Sequence, residues 1–194
     1  MMATTYDGPF AKRLDAEHVL RMLPDLGGPE HADPQFIEAV DFWAPEKGGL
    51  ILRGPTGSGK TTAVCHMIRR LLANREDATS TALILASDLV DSPELVDKAK
   101  RVRLLVLDDV GKEHDPKNVL FRVLDYRFTR VPTVVTSGLS VDDMNRAYDG
   151  AFLRRLGEFK GIRSRVVSLF PAPKRPRPPS DQPELARRMG EKDN

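Results

Sequence analysis

Gly54-Pro55-Thr56-Gly57-Ser58-Gly59-Lys60-Thr61 sets three glycines ahead of a lysine and a hydroxyl residue, the spacing G-x-x-x-x-G-K-[ST]. A run of this kind turns successive backbone N–H groups inward around phosphate oxygens. A helix starting at its end adds the positive end of its dipole. The expected phosphate-binding set is Gly54, Pro55, Thr56, Gly57, Ser58, Gly59, Lys60, Thr61 and Thr62, with Lys60 reaching the β- and γ-phosphates and Thr61 ligating Mg²⁺. A second chemical pair stands at Asp108 and Asp109, where the apolar run Leu104–Leu107 ends in two carboxylates. Asp108 is placed to enter the metal's coordination sphere, and Asp109 to orient or deprotonate an attacking water. Glu113 is a nearby substitute for that base. The chemistry these residues share is phosphoryl transfer from a nucleoside triphosphate held with Mg²⁺. No N-K-x-D or T-K-x-D guanine signature occurs in the chain, which points to ATP.

Strands must carry these groups to one edge. Gly49–Arg53 is brief, apolar and followed by glycines, as a strand buried in a parallel sheet would be. Thr61–Ala73 reads as the following helix. Further strand-like runs are Thr81–Ala86, Leu104–Leu107, Thr133–Thr136 and, more weakly, Val166–Phe170, with helical spacing over Ser92–Arg101, Lys117–Arg130 and Val141–Phe159. The alternation predicts an α/β domain with a mainly parallel sheet. Residues 1–35 read as a helix, Ala11–Leu23, and a turn-rich loop, with partner binding one use of that helix. Residues 36–170 read as the core. From Pro171 proline and charge dominate, so 171–194 reads as a disordered or extended tail with a short helix near Pro183–Met189.

With 194 residues, 40% hydrophobic and 30% charged, the chain suits one soluble globular domain. Its single cysteine, Cys65, excludes an internal disulfide, and with His66 it falls in the helix after the glycine-rich loop as a packing residue. A reducing, cytoplasmic setting is expected. No signal peptide is read at the N-terminus, and no run of about eighteen apolar residues offers a membrane span.

Four segments taken in order, Gly54–Thr62, Leu105–Glu113, Phe121–Phe128 and Pro132–Ser140, resemble the motifs of the DnaC/IstB-type AAA+ ATPases, which are helicase loaders and transposition helpers. The resemblance covers about residues 48–156. It implies a three-layer P-loop core of the AAA+/ASCE type with sheet order 5-1-4-3-2. It also implies ATP bound between neighbouring subunits of a homo-oligomer, and assembly on single-stranded DNA or with a replicative helicase or transposase. The sensor segment would be Thr136-Ser137-Gly138. This chain has Gly138 where the family usually carries asparagine, so Ser137 or Thr136 would stand in and hydrolysis would be slow. An arginine finger would come from Arg155, then Arg165, then Arg154 in order of preference. The helical lid that usually completes such a module has no room, so assembly would depend on ATP, DNA or a partner.

Between Leu153 and Arg177 the sequence holds eight Lys/Arg against the single acid Glu158, a basic zone hidden by a net charge of only +2. Such a zone could neutralise nucleic-acid phosphates in a sequence-tolerant way, or serve as a solubilising tail or a docking peptide for a partner's groove. Three function classes follow: a DNA-associated ATPase, with helicase loading in DNA replication ahead of a transposition helper; a low-turnover ATP-bound adaptor; and a P-loop small-molecule kinase, ranked last.

Overall fold

The apolar runs anticipated as strands all pair. The computed structural model describes residues 26–73, 81–115 and 118–170. Within them β1 (Leu50–Arg53), β2 (Thr81–Leu85), β3 (Leu104–Val110), β4 (Thr133–Ser137) and β5 (Arg165–Ser168) form one sheet, ordered β2-β3-β4-β1-β5. Every neighbouring pair is parallel. This is the order 5-1-4-3-2 that the resemblance implies.

A parallel sheet needs cover on both faces, and the alternation along each strand supplies it. Leu50, Leu52, Leu104, Val106 and Val134 point into one core, shared with α1 (Pro34–Asp41) and α2 (Lys60–Ala73). Ile51, Leu105, Leu107 and Val135 point into the other. There they meet α3 (Ala86–Asp91), α4 (Pro93–Arg101), α5 (Val119–Arg127), α6 (Val141–Ala147) and α7 (Gly150–Gly157). Leu50, Leu52, Leu105, Leu107, Met67 and Ile68 are wholly buried, each worth roughly 1.5–3 kcal/mol of transfer free energy. The result is a three-layer α/β domain. Among the described residues no helix follows β5, and none is long and apolar enough to cross a membrane.

Three elements differ from the sequence expectation. The single helix expected over Val141–Phe159 is two helices, because Tyr148 is extended and the Asp149 carboxylate caps α7 by accepting the Phe152 N–H at 2.7 Å. Asp-Gly starts a helix far better than it continues one. Glu158–Phe159 then pairs antiparallel with Ile162–Arg163 in a small hairpin. Ala86 opens α3 and does not extend β2. The expected helices at Ala11–Leu23 and Pro183–Met189, and the tail from Pro171, lie outside the described residues.

Arg127 is the least expected member of the interior. It is 1% exposed, and its guanidinium donates to the carbonyls of Ala99 (2.8 Å), Val102 (2.6 Å) and Pro132 (2.7 Å) and to Thr133 Oγ1 (2.9 Å). One side chain thus ties the end of α4 to the start of β4. Burial pushes its pKa down to about 10.

Candidate functional site

The loop between β1 and α2 carries the glycine-rich residues at the carboxyl edge of the sheet, with α2 starting at Lys60. Gly57 and Gly59 have φ of +83° and +79°, the left-handed region that suits glycine. A Cβ at Gly59 would lie 2.3 Å from Ala32 Cα, so residues 31–32 press on the loop from outside. The Asp33 N–H donates to Ser58 O at 3.1 Å, and the Asp33 carboxylate caps α1. This buttress from the N-terminal side had no sequence signal beyond the helix-starting Asp33-Pro34.

Lys60 is 8% exposed and turns its ammonium onto the loop itself, donating to Gly54 O at 2.8 Å and Pro55 O at 2.9 Å. Burial lowers its pKa, while the carboxylates of Asp109 and Asp108 pull the other way. Ser58 Oγ donates to Pro55 O at 2.8 Å and so pins the turn. A Cβ at Gly57 would meet nothing within 4 Å, leaving the mouth of the loop open. Thr62 is buried behind the loop, at 7% exposure.

Across the edge, Asp108 is 4% exposed, and the Thr61 hydroxyl lies 3.1 and 3.0 Å from its two oxygens. A hydroxyl and a carboxylate brought this close are hard oxygen donors of the type Mg²⁺ prefers, so the residues present fit that ion. Asp109, next along β3, has φ of +61° and sits where the β3–β4 register shifts between Leu107 and Val110. This bulge turns the second carboxylate away from the sheet. Its Oδ2 forms an ion pair with Lys112 Nζ at 2.7 Å.

Glu113, the substitute base, is engaged at both oxygens. One accepts the Gly111 N–H at 2.7 Å and the other accepts the Tyr148 O–H. Burial, and then the Glu113 carboxylate, push the Tyr148 phenol far above its ordinary pKa. The Tyr148 ring stacks on Phe152 with centroids 4.1 Å apart, which holds the hydroxyl in place.

Ser137 is fully buried, and its hydroxyl donates to Val110 O at 2.6 Å and accepts the Leu139 N–H at 3.1 Å. Both contacts shape the turn after β4. Of these two neighbouring hydroxyls on β4, the one that reaches Asp108 belongs to Thr136. Arg155 lies elsewhere: its Nε donates to Asp125 Oδ1 at 2.8 Å, and it shares a hollow with Gly49 and Thr133 at the amino ends of β1 and β4. It therefore sits at the sheet edge opposite its own phosphate loop. Arg165 opens β5 opposite Leu50 at that same edge, and Arg154 lies 3.7 Å from Glu158.

Cys65 is wholly buried in α2, and burial pushes its thiol up to about 11. At pH 8 only on the order of one such thiol in a thousand is ionised. Iodoacetamide should leave the native protein unlabelled at that pH and label it fully in denaturant. Prompt labelling of the native protein would contradict this placement. His66 meets Asp41 at 3.0 Å and joins α2 to α1.

A scan of protein-family models finds no match to the chain, and a search of curated proteins finds none either. Solved structures do match. DnaI is similar over 78% of this chain and 93% of its own length, with 23% identity and a TM-score of 0.56. A protein described as a candidate primosome component from Streptococcus pyogenes serotype M3 matches over 76% of this chain and 88% of its own, with 25% identity and a TM-score of 0.55. The DnaC helicase loader matches over 68% and 85%, with 18% identity and a TM-score of 0.52. By its parallel five-stranded sheet and these likenesses, the chain has the fold of the AAA+ P-loop proteins of the DnaC type.

Proposed function

We propose that the protein binds and hydrolyses ATP with Mg²⁺ in association with DNA, and serves as a DnaC-like helicase loader in DNA replication. The observation that carries the nucleotide half is the meeting of Thr61 with Asp108 at the carboxyl edge of the sheet, beside the Lys60 ammonium. Mg²⁺ bound there would neutralise charge on the β- and γ-phosphates. Lys60, now on its loop carbonyls, would turn onto phosphate oxygens and stabilise the charge on the transferring group. Thr61 and Asp108 would hold the ion, and Asp109 would orient or deprotonate the attacking water. Arg155 cannot serve its own site from the opposite edge of the sheet, so a finger role for it would require a neighbouring copy in an ATP- or DNA-dependent homo-oligomer.

The loading half rests on the likeness to the structure described as the DnaC helicase loader, and on the basic zone. Arg163 and Arg165 are exposed and supply positive charge for a single-stranded DNA backbone. Phosphate release from Mg-ATP, with and without single-stranded DNA, tests the reading. DNA-stimulated release supports it. Tight ATP binding with no release under any condition, including added replicative helicase, sinks it.

That second outcome would favour an ATP-bound adaptor of low turnover. Specific contacts point that way: Asp109 is held by Lys112, Glu113 is held by Gly111 and Tyr148, and Gly138 offers no side chain. A Cβ built on Gly138 meets nothing within 4 Å. Gly138→Asn therefore has room for its Cβ and adds an amide donor after β4. It should raise turnover by about tenfold, a fraction of what a fully aligned donor contributes. Unchanged or lower turnover in a folded G138N protein would show that the sensor position is not limiting.

A further inference from the structure

Thr136 lies inside β4 and is 1% exposed, so its hydroxyl must find partners within the protein. It finds two, both near the carboxyl end of β3. Its proton goes to Asp108 Oδ1, and its oxygen accepts the Asp109 N–H at 2.9 Å. One donor and one acceptor position of a single hydroxyl are thus divided between the two adjacent aspartates.

The second bond answers a specific structural need. Asp109 has φ of +61°, in a region that costs a non-glycine residue roughly 1–2 kcal/mol, and the β3–β4 ladder breaks its register there. The Asp109 N–H has left the ladder, and the Thr136 hydroxyl replaces its backbone acceptor. The first bond fixes the rotation of a carboxylate that Thr61 also approaches. Without it Asp108, at 4% exposure, would keep only the Thr61 hydroxyl among these two hydroxyl partners.

We infer that Thr136 is a positioning residue for the Mg-nucleotide site: its hydroxyl sets the Asp108 carboxylate for the ion and holds the bulge that aims Asp109. The inference rests on the nucleotide site proposed above. Thr136 acts through the two aspartates and touches no reacting atom. Thr136→Val keeps the shape and the β-branched stem but leaves the Asp109 N–H without its acceptor. Thr136→Ser restores the hydroxyl and loses only a methyl group.

The test is Mn²⁺ binding to the full-length protein with ADP, followed by the electron paramagnetic resonance signal of free Mn²⁺, alongside ADP binding in EDTA. Thr136→Val should bind ADP in EDTA as the parent does, yet hold Mn²⁺ about tenfold or more weakly, the loss expected when a partner of a metal ligand is removed. Thr136→Ser should retain the parent's Mn²⁺ affinity. Parental Mn²⁺ affinity in the valine variant overturns the inference, and so does a tenfold loss in the serine variant. The serine arm can still overturn the inference if the valine variant does not fold. Failure of the parent protein to bind ADP and Mn²⁺ would instead overturn the nucleotide site itself, and this inference with it.

Discussion

Replacing Lys60 with alanine should cut phosphate release by about a hundredfold or more while leaving the chain folded. The ammonium now bridges the carbonyls of Gly54 and Pro55, contacts confined to the loop and adjacent to its open mouth. Their loss touches neither core. A preorganised donor aimed at developing charge is worth roughly 2.7–4 kcal/mol, which sets the scale of the effect. A second readout separates binding from folding. Saturating Mg-ATP should raise the parent's melting temperature, since a ligand at a hundred times its Kd adds about 2.7 kcal/mol. The Lys60→Ala melting temperature should respond far less. Equal stabilisation of both proteins would place the nucleotide somewhere other than Gly54–Thr61.

Arg127→Met should destabilise the domain by about 3 kcal/mol, a large share of the 5–15 kcal/mol typical of a domain. Methionine fills much of the same volume, but it leaves the carbonyls of Ala99, Val102 and Pro132 without their buried donor. Each orphaned group costs about 1–3 kcal/mol, offset in part because a desolvated cation is removed. Arg127→Lys should recover little, since an ammonium lacks the planar fork that reaches several oxygens at once. Urea unfolding measures both. The midpoint should fall with the slope unchanged, and a loss below about 1 kcal/mol would mean that the interior relaxes around the missing fork.

Arg127 also shows where sequence reading stops. The strands, their parallel alternation with helices and the order 5-1-4-3-2 were legible because short apolar runs between helical stretches admit few arrangements, and the family resemblance picked one. That a glycine-rich loop at Gly54–Thr61 would follow a strand and meet Asp108 was legible because the motif is carried by spacing along the chain. Arg127 was read as part of an ordinary helix. Yet it follows Leu120, Val123 and Leu124 at the next turn of the same apolar stripe, which is the signal that could have marked it as interior.

Other features could not be read from local pattern at all. The bond from the Asp109 N–H to Thr136 spans 27 residues and exists only because β3 bulges against β4. The engagement of Glu113 by Tyr148 spans 35 residues and depends on α6 ending at Ala147. Ser137 and Thr136 are adjacent hydroxyls on one strand, so they face opposite ways, and which of them reaches Asp108 is settled by register. The pressure of residues 31–33 on the phosphate loop depends likewise on how α1 packs against α2.

The most direct test of the nucleotide site is calorimetric titration of the purified full-length protein with ATP and with GTP, each in the presence of Mg²⁺ and again in EDTA. Saturable one-site binding that prefers ATP, strengthens with Mg²⁺ and disappears in Lys60→Ala is the expected result. Absence of binding, or ATP binding indifferent to both Mg²⁺ and Lys60, would contradict a site built from Lys60, Thr61 and Asp108.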